Sequence, residues 1–116
     1  MIFIKIFNRK NNLRKKFHKL LIDKETLLCS YKLVTDIVYF TNLRIIYFDR
    51  KFLTRRLKRI IIPYRTIDTY TVVTGSFWHR KDHIYLLFGK NKFEIPVAEE
   101  INTREIDKLL GKYICQ

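Results

Sequence analysis

The sequence predicts a mainly β protein, in which short antiparallel strands curl into a sheet or barrel and a C-terminal helix closes its open end. Three observations support this fold. Residues 36–50 form a hairpin of β-branched and aromatic residues, further short apolar runs alternate with turn residues, and residues 102–114 carry a helical apolar stripe. The 116 residues suffice for one core, so we expect 1–116 to be a single domain.

The predicted hairpin is apolar on both faces. Its strands, IVYF and IIYF, flank a tight turn at Thr41-Asn42 and lack the alternation of a strand with one wet face. Both faces therefore need a cover. The core covers one face, and either an N-terminal helix or a second subunit covers the other. The second-subunit alternative predicts an oligomer interface at Tyr39, Ile46 and Phe48.

The remaining elements follow from hydrophobic periodicity. Residues 10–22 have a narrow apolar stripe opposite basic residues, which predicts an amphipathic helix that packs on the body or, alternatively, lies on an anionic membrane. The barrel strands are expected within 27–97, and Pro63 should end the pairing of one of them. The individual strands are predicted at 26–34, 37–40, 45–48, 60–62, 67–74, 84–88 and 92–97.

The C-terminal helix, 102–114, has the clearest start signal in the chain. Asn102 is a suitable N-cap, and Glu105 follows three residues later, as in a capping box. Gly111 should weaken the helix slightly through backbone entropy. The apolar stripe consists of Ile106, Leu109, Leu110, Tyr113 and Ile114.

The net charge of +13 lies entirely in the first half of the chain. Residues 1–65 hold 17 Lys+Arg and 4 Asp+Glu, whereas residues 66–116 hold 7 of each. This asymmetry favours an anionic partner: nucleic acid, an anionic membrane surface or an acidic protein. The alternative is a surface that only keeps the protein soluble. The candidate binding residues, in the basic runs 9–19 and 50–59, are Lys15, Lys16, Lys19, Arg50, Lys51, Arg55, Arg56, Lys58 and Arg59.

No enzyme motif is present, so we expect no catalytic activity, cofactor or small-molecule substrate. Cys29 and Cys115 are lone thiols, which suits ordinary apolar positions in a reducing cytoplasm. His79 and His83 have metal-ligand spacing only on a helix, whereas we place them at a hairpin. Asp36 and Asp49 bracket the hairpin and should satisfy turn amides or pair with Arg44.

The opening MIFIKIF is too short to span a membrane and lacks a signal-peptide cleavage site. We therefore expect a cytoplasmic protein, with a peripheral position at the inner membrane face as the alternative.

Residues 20–114 resemble the bacterial pleckstrin-homology (PH) domain family. The most specific match is D-x-x-x-F-T-N-x-R-x-I, from Asp36 to Ile46, followed by Asp49-x-Lys51 and by Pro63-Tyr64-Arg65-x-Ile67. The resemblance implies two nearly orthogonal antiparallel sheets of seven strands in total, closed by a C-terminal helix, with a further helix before the first strand. It also implies a binding or scaffolding module that forms ring-like homo-oligomers.

Two segments depart from the family pattern. FLTRRLKR replaces a milder, Gly-containing segment after Asp49, and FWHRKD replaces an acidic one, so both changes make the chain more basic. The basic loop with which eukaryotic PH domains bind phosphoinositides is absent, since only Thr35-Asp36 joins the first two strands. The expected function is a non-enzymatic, homo-oligomeric scaffold. The alternative is an electrostatic binder of anionic membrane or nucleic acid through 9–19 and 50–59.

Overall fold

The structure, a computed structural model, describes residues 19–32, 36–49, 58–75, 81–97 and 103–115. These ranges contain seven strands, a short 3₁₀ helix (Tyr64–Thr66) and the helix α1 (Thr103–Ile114). The chain divides into two compact units, Met1–Ile61 and Ile62–Gln116. The strands are β1 (Leu27–Lys32), β2 (Ile37–Thr41), β3 (Arg44–Asp49), β4 (Lys58–Pro63), β5 (Thr69–Val73), β6 (His83–Phe88) and β7 (Asn91–Pro96).

The first sheet has the strand order β1-β2-β3-β4 and contains the predicted hairpin. In the hairpin, Tyr39 lies opposite Ile46, and Phe40 lies opposite Ile45. The turn is Asn42-Leu43, one residue later than predicted, because Thr41 still belongs to β2. The Thr41 hydroxyl accepts hydrogen bonds from the backbone N–H groups of Leu43 and Arg44, which closes the turn.

Strand β1 pairs antiparallel with β2, and a bulge interrupts the register between Leu27 and Cys29. The bulge leaves Leu28 exposed, while Cys29 and Tyr31 are buried. All five residues of β2 are buried, which confirms that neither face of this strand is wet.

The second sheet has the strand order β5-β6-β7. One face is fully buried at Ile84, Leu86 and Ile95, whereas the other carries exposed residues on its outer strands. Between β6 and β7 the chain turns at Gly89, whose φ of +62° is a left-handed conformation that glycine adopts without steric cost. The second sheet has one buried face and one solvent-exposed face, whereas neither face of β2 in the hairpin is exposed.

Helix α1 buries Ile106 and Leu110, two members of the predicted stripe. The Tyr113 ring stacks on Tyr64 of the 3₁₀ helix with centroids 5.4 Å apart, and the Tyr70 hydroxyl of β5 donates to Asp107 at 3.2 Å. A Cβ at position 111 would lie 3.3 Å from the Tyr70 oxygen. Gly111 therefore has a packing role at this close approach, in addition to the entropic cost that the sequence predicted.

The fold class is confirmed: two antiparallel sheets of four and three strands, and a C-terminal helix. The predicted strands are all present, and Pro63 is the last residue of β4, as expected. Most of the predicted N-terminal helix, and the proposed cap Asn102, lie outside the described residues. Residues 19–22 are turn and irregular chain, so a helix does not extend to 22. The single-domain assignment stays a prediction.

Asp82 ties the chain after β5 to the start of α1. One carboxylate oxygen accepts from the Gly75 N–H at 2.6 Å, and the other accepts from the Thr103 hydroxyl at 2.5 Å. The hydrogen bond from Gly75, followed by that from Thr103, holds the pKa of Asp82 below its usual value. Since the ionised carboxylate is a stronger acceptor than the neutral carboxyl group, the tie is strongest when Asp82 is charged.

We expect Asp82→Asn to lower the free energy of unfolding by about 1 kcal/mol or more at neutral pH, because the amide oxygen accepts one bond without charge assistance and the amide NH2 cannot accept the other. A carboxyl whose folded-state pKa is lowered stabilises the fold fully above about pH 4 and loses that contribution as the pH falls further. Urea denaturation at neutral and acid pH should therefore show a difference between wild type and variant that shrinks in acid. Asp23→Asn, at an exposed position, is the control. Equal stability at neutral pH would contradict the tie.

Candidate functional site

The predicted partner-binding residues are described at three positions. Lys58 and Arg59 begin β4 and are exposed, and Lys19 is exposed in a turn before β1. The other six, Lys15, Lys16, Arg50, Lys51, Arg55 and Arg56, lie outside the described residues.

The exposed charge of the first unit is mainly positive. Among its described residues, the exposed charged side chains are five basic ones and one acidic one, Asp23. The other described carboxylates, Glu25, Asp36 and Asp49, are buried or half-buried. The exposed basic residues are Lys19, Lys24, Lys32, Lys58 and Arg59.

Glu25 and Arg44 form an ion pair within the protein. The Glu25 side chain is fully buried, and its two oxygens accept from Nε of Arg44 at 2.8 Å and from Nη2 at 3.0 Å. Glu25 also accepts from the Thr41 hydroxyl at 2.7 Å and from the Ile22 N–H at 3.0 Å. Burial raises the pKa of Glu25, but the hydrogen bonds from Arg44, Ile22 and Thr41, with the Arg44 charge, outweigh it and lower the pKa.

Asn42, in the hairpin turn, links this turn to residues 24–26. Its side-chain oxygen accepts from the Thr26 N–H at 2.7 Å, and its side-chain nitrogen donates to the Lys24 carbonyl at 3.2 Å. The Asn42 N–H donates to the Thr26 carbonyl at 3.1 Å. Residues 24–26, where Lys24 has a left-handed φ of 65°, are thereby fixed beside the hairpin turn.

These bonds position a cover on the hairpin. Arg44 donates through Nη2 to the Leu20 carbonyl at 3.0 Å, and Leu20 and Leu21 pack against the cluster of Ile37, Tyr39 and Ile46. Leu27 and Phe48 also pack against this cluster. One apolar face of the hairpin is thus covered within the same chain, by the segment immediately before β1.

The cover bears on the predicted oligomer interface. Tyr39 and Ile46 are each only 1% exposed, so a second subunit could reach them only after the cover moved. Phe48 is half-buried, and its ring meets that of Tyr39 edge-on at 5.4 Å. The assignment of these three residues to an interface stays a prediction, but the covered face no longer requires one.

Two further tyrosines of the first sheet, Tyr31 of β1 and Tyr47 of β3, are also buried. Tyr47 donates to Asp36, and burial, with this hydrogen bond and the neighbouring carboxylates, raises the pKa of Tyr47 well above its usual value. Burial likewise raises the pKa of Tyr31, whose ring lies 5.9 Å from that of Phe40. Of the two roles expected for Asp36 and Asp49, pairing with Arg44 is not what the structure shows, because the Arg44 guanidinium lies against Glu25. The alternative role, in which they satisfy turn amides, stays a prediction.

The histidine and cysteine residues offer no metal centre within the described ranges, where no three His, Cys, Asp or Glu side chains are grouped as ligands would be. Cys29 is buried and Cys115 exposed, both as free thiols. His83 lies on β6 with Nδ1 at 2.5 Å from a Glu94 oxygen, while His79 lies outside the described residues. In the same ranges, no helix has both the length and the apolar composition needed to cross a bilayer.

Comparison with known families decides the identity of this fold. The family model described as the bacterial PH domain matches residues 1–114 of the chain. The chain is a member of the bacterial PH domain family. This confirms the resemblance to the family that the sequence shows. In this PH domain, Thr41 and Arg44 bond the buried Glu25, and Asn42 bonds Thr26 and Lys24.

Related proteins support the same assignment. The PH domain is 31% identical over 101 residues to the uncharacterised protein YozO of Bacillus subtilis (strain 168), covering 87% of this chain and 89% of that one. It superposes with a TM-score of 0.78 and 21% identity on a DUF1696 family protein with a PH domain from Shewanella loihica PV-4, covering 90% of this chain and 92% of that one. The PH domain from Shewanella amazonensis SB2B gives 0.73 and 22%, with coverages of 90% and 86%.

Sequence reasoning missed Glu25, the centre of the network in this PH domain. A signal was present, because Arg44 in an apolar hairpin requires a carboxylate partner and Glu25 immediately precedes the first strand. The partner could not be chosen by sequence distance, since Asp36 and Asp49 are both nearer to Arg44 along the chain.

We expect Arg44→Ala to lower the free energy of unfolding by about 3 kcal/mol or more, because it leaves the buried Glu25 carboxylate without its cation. The double variant Glu25→Gln/Arg44→Ala should recover part of this loss, since no buried charge then lacks a partner. Chemical denaturation of both variants measures the difference. If Arg44→Ala cost less than about 1 kcal/mol, the pair would behave as a surface salt bridge.

Proposed function

We propose that this PH domain is a non-catalytic binding module whose first unit holds a phosphate-rich, anionic partner. The observation that carries the proposal is the imbalance of exposed charge in that unit. Glu25 is paired with Arg44, Asp36 accepts from Tyr47, and Asp49 is half-buried. Lys58, Arg59 and the other described lysines of this unit are exposed.

Electrostatics explains why such an arrangement favours binding. Glu25 and Arg44 neutralise each other, and among the described residues of the first unit five exposed basic side chains stand against one exposed acidic one, so the field outside this unit is strongly positive. The further basic residues of 9–19 and 50–57 add to this field wherever they lie, since residues 1–65 hold 17 Lys+Arg against 4 Asp+Glu. Polyphosphates and acidic lipid surfaces release counterions when they meet such a field.

Self-association is a second candidate function, and the second unit favours it. The second unit, Ile62–Gln116, holds 8 basic and 7 acidic residues, so two copies can approach there with little like-charge repulsion. The first unit, with almost all of the excess charge, is a poor site for contact between identical chains. A scaffold built in this way would present several basic surfaces at once, which strengthens binding to an extended anion by raising effective concentration.

We expect Lys58→Glu/Arg59→Glu to weaken binding to acidic phospholipid vesicles or to duplex DNA by about 30-fold or more, because each basic residue near such a surface contributes about 1 kcal/mol. Binding of the wild type should fall steeply between about 50 mM and about 200 mM salt, and the slope should be smaller for the variant. Vesicle sedimentation and fluorescence anisotropy of labelled DNA measure the two arms.

The matched control is Lys90→Glu/Lys108→Glu, which makes the same charge change at exposed positions of the second unit. It should weaken binding much less. Equal losses in the two double variants would mean that only net charge matters, and no salt-sensitive binding in either arm would refute the proposal.

Light scattering tests self-association directly. At tens of micromolar protein we expect a mass above that of one 14.2 kDa chain, and the mass should fall on dilution because assembly follows mass action. A strictly monomeric mass over that whole concentration range would remove the second candidate and leave the first intact.

A further inference from the structure

The exposed apolar side chains of the first unit are concentrated at one end of its sheet. Ile22 lies in the turn before β1, Leu28 is the second residue of β1, and Leu43 lies in the hairpin turn. Leu27 of β1 is opposite Thr41 of β2, so the start of β1 meets the hairpin turn at this end. Within the described parts of the whole chain, the exposed large apolar residues are these three and two others, Ile61 and Val73.

Two turns at this end are tied together through buried side chains. The Ile22 N–H donates to one oxygen of Glu25 at 3.0 Å, and the other oxygen accepts from the Thr41 hydroxyl at 2.7 Å. The same hydroxyl accepts from the Leu43 N–H at 3.0 Å. We call residues 22–25 and 41–44 the turn pair. Because its backbone is already ordered, it loses little conformational entropy when a partner binds.

The charges around the turn pair suit an acidic surface. Glu25 is buried and paired with Arg44, so these two charges cancel inside the protein. Lys19 and Lys24 are exposed, and Asp23 is the one exposed acidic residue of 19–28 and 41–44. Lysines beside exposed aliphatic residues are typical of segments that lie in a bilayer interface, where the aliphatic groups enter the acyl boundary and the ammonium groups stay among the headgroups.

Lys24 has a backbone conformation that a lysine adopts only at a cost. Its φ of 65° is left-handed, which glycine or asparagine adopts more easily. The Asn42 side chain donates to the Lys24 carbonyl at 3.2 Å, and the Glu25 N–H donates to the Ile22 carbonyl at 3.1 Å. These bonds hold the turn and its lysine in place. A strained residue that the surroundings fix in this way points to a functional role for its side chain.

The exposed apolar residues of the turn pair distinguish a lipid surface from a nucleic acid. Basic side chains alone suit either polyanion. Single-stranded bases stack on aromatic rings, whereas Ile22, Leu28 and Leu43 are aliphatic. Aliphatic side chains gain free energy when they leave water for an acyl region, in proportion to the area that is buried.

We propose that the turn pair, with Leu28 beside it, inserts into the interface of an acidic phospholipid bilayer. Ile22, Leu28 and Leu43 enter the acyl boundary, while Lys19 and Lys24 bind headgroup phosphates. This inference rests on the proposed function and names its partner.

The proposed contact lies away from the connection between β1 and β2. That connection follows Lys32, which is opposite Ile37, whereas the turn pair adjoins Leu27 and Thr41 at the other end of the same two strands. The surface therefore differs from the loop between the first two strands with which eukaryotic PH domains bind phosphoinositides.

Removing the apolar side chains tests the contact. We expect Ile22→Ser/Leu43→Ser to weaken binding to phosphatidylglycerol vesicles by about 30-fold or more, because two aliphatic groups no longer leave water. Binding to duplex DNA should stay unchanged, since no cation is lost. Val73→Ser, at a position 43% exposed against 41% for Leu43, is the matched control outside the turn pair. Vesicle sedimentation and DNA anisotropy measure binding, and urea denaturation checks that each variant is folded.

Salt dependence separates the roles of the two kinds of residue. The double serine variant should keep the salt dependence of the wild type on vesicles, because apolar burial is not screened by ions. Lys24→Asn should reduce that dependence, since it removes one cation while asparagine tolerates the left-handed backbone.

A tryptophan placed in the turn pair reports insertion directly. Trp78 is the one tryptophan of the chain, so Trp78→Phe provides a silent background. In that background, Leu43→Trp should be quenched by phosphatidylglycerol vesicles that contain lipids brominated on the acyl chain. Val73→Trp should not be quenched.

The possible failures are distinguishable. Unchanged vesicle binding by Ile22→Ser/Leu43→Ser, or no quenching of Leu43→Trp, would overturn insertion and leave the proposed function in place. An equal loss on DNA would assign the turn pair to a nucleic-acid surface instead. A wild type that binds DNA but no vesicles would refute this inference alone, whereas one that binds neither would refute the proposed function as well.

Discussion

The ion pair between Glu25 and Arg44 is the interaction on which the first unit depends. A buried carboxylate is tolerated only with a cation and hydrogen bonds around it, and here Arg44, Thr41 and the Ile22 N–H supply them. The same guanidinium bonds the Leu20 carbonyl, so the pair that neutralises a buried charge also fixes the segment that covers Tyr39 and Ile46. Without this cover, a hairpin that is apolar on both faces would expose one of them to water.

The burial of carboxylates in the first unit links the fold to the proposed function. Glu25 neutralises Arg44, and Asp36 and Asp49 are half-buried, so Asp23 is the one exposed carboxylate beside the exposed lysines and Arg59 among the described residues of this unit. The second unit distributes its charges evenly and leaves β5 as an uncharged outer strand. Under the proposed function, the basic first unit attracts anions, whereas the nearly neutral second unit allows contact between copies.

Much of this architecture could be predicted because its signals are local. The strands follow from runs of β-branched and aromatic residues, and α1 follows from its apolar stripe. The partner of Arg44 could not be predicted in this way, since pairing between residues 25 and 44 depends on how two turns meet. The turn position was one residue off, because the Thr41 hydroxyl closes the turn from within β2. The sequence shows Gly111 only as a residue that weakens the helix, because its close approach to the Tyr70 hydroxyl depends on the packing of α1 against β5.

By itself, the sequence determined the element types, the mainly β fold with its C-terminal helix, and the concentration of positive charge in residues 1–65. These properties are fixed by composition and by periodicities of two and of 3.6 residues, which span only neighbouring positions. The tertiary structure decided which segment covers the hairpin and which carboxylate meets Arg44. The physical reason is that burial and pairing depend on distances between residues far apart in the chain, and folding alone sets those distances.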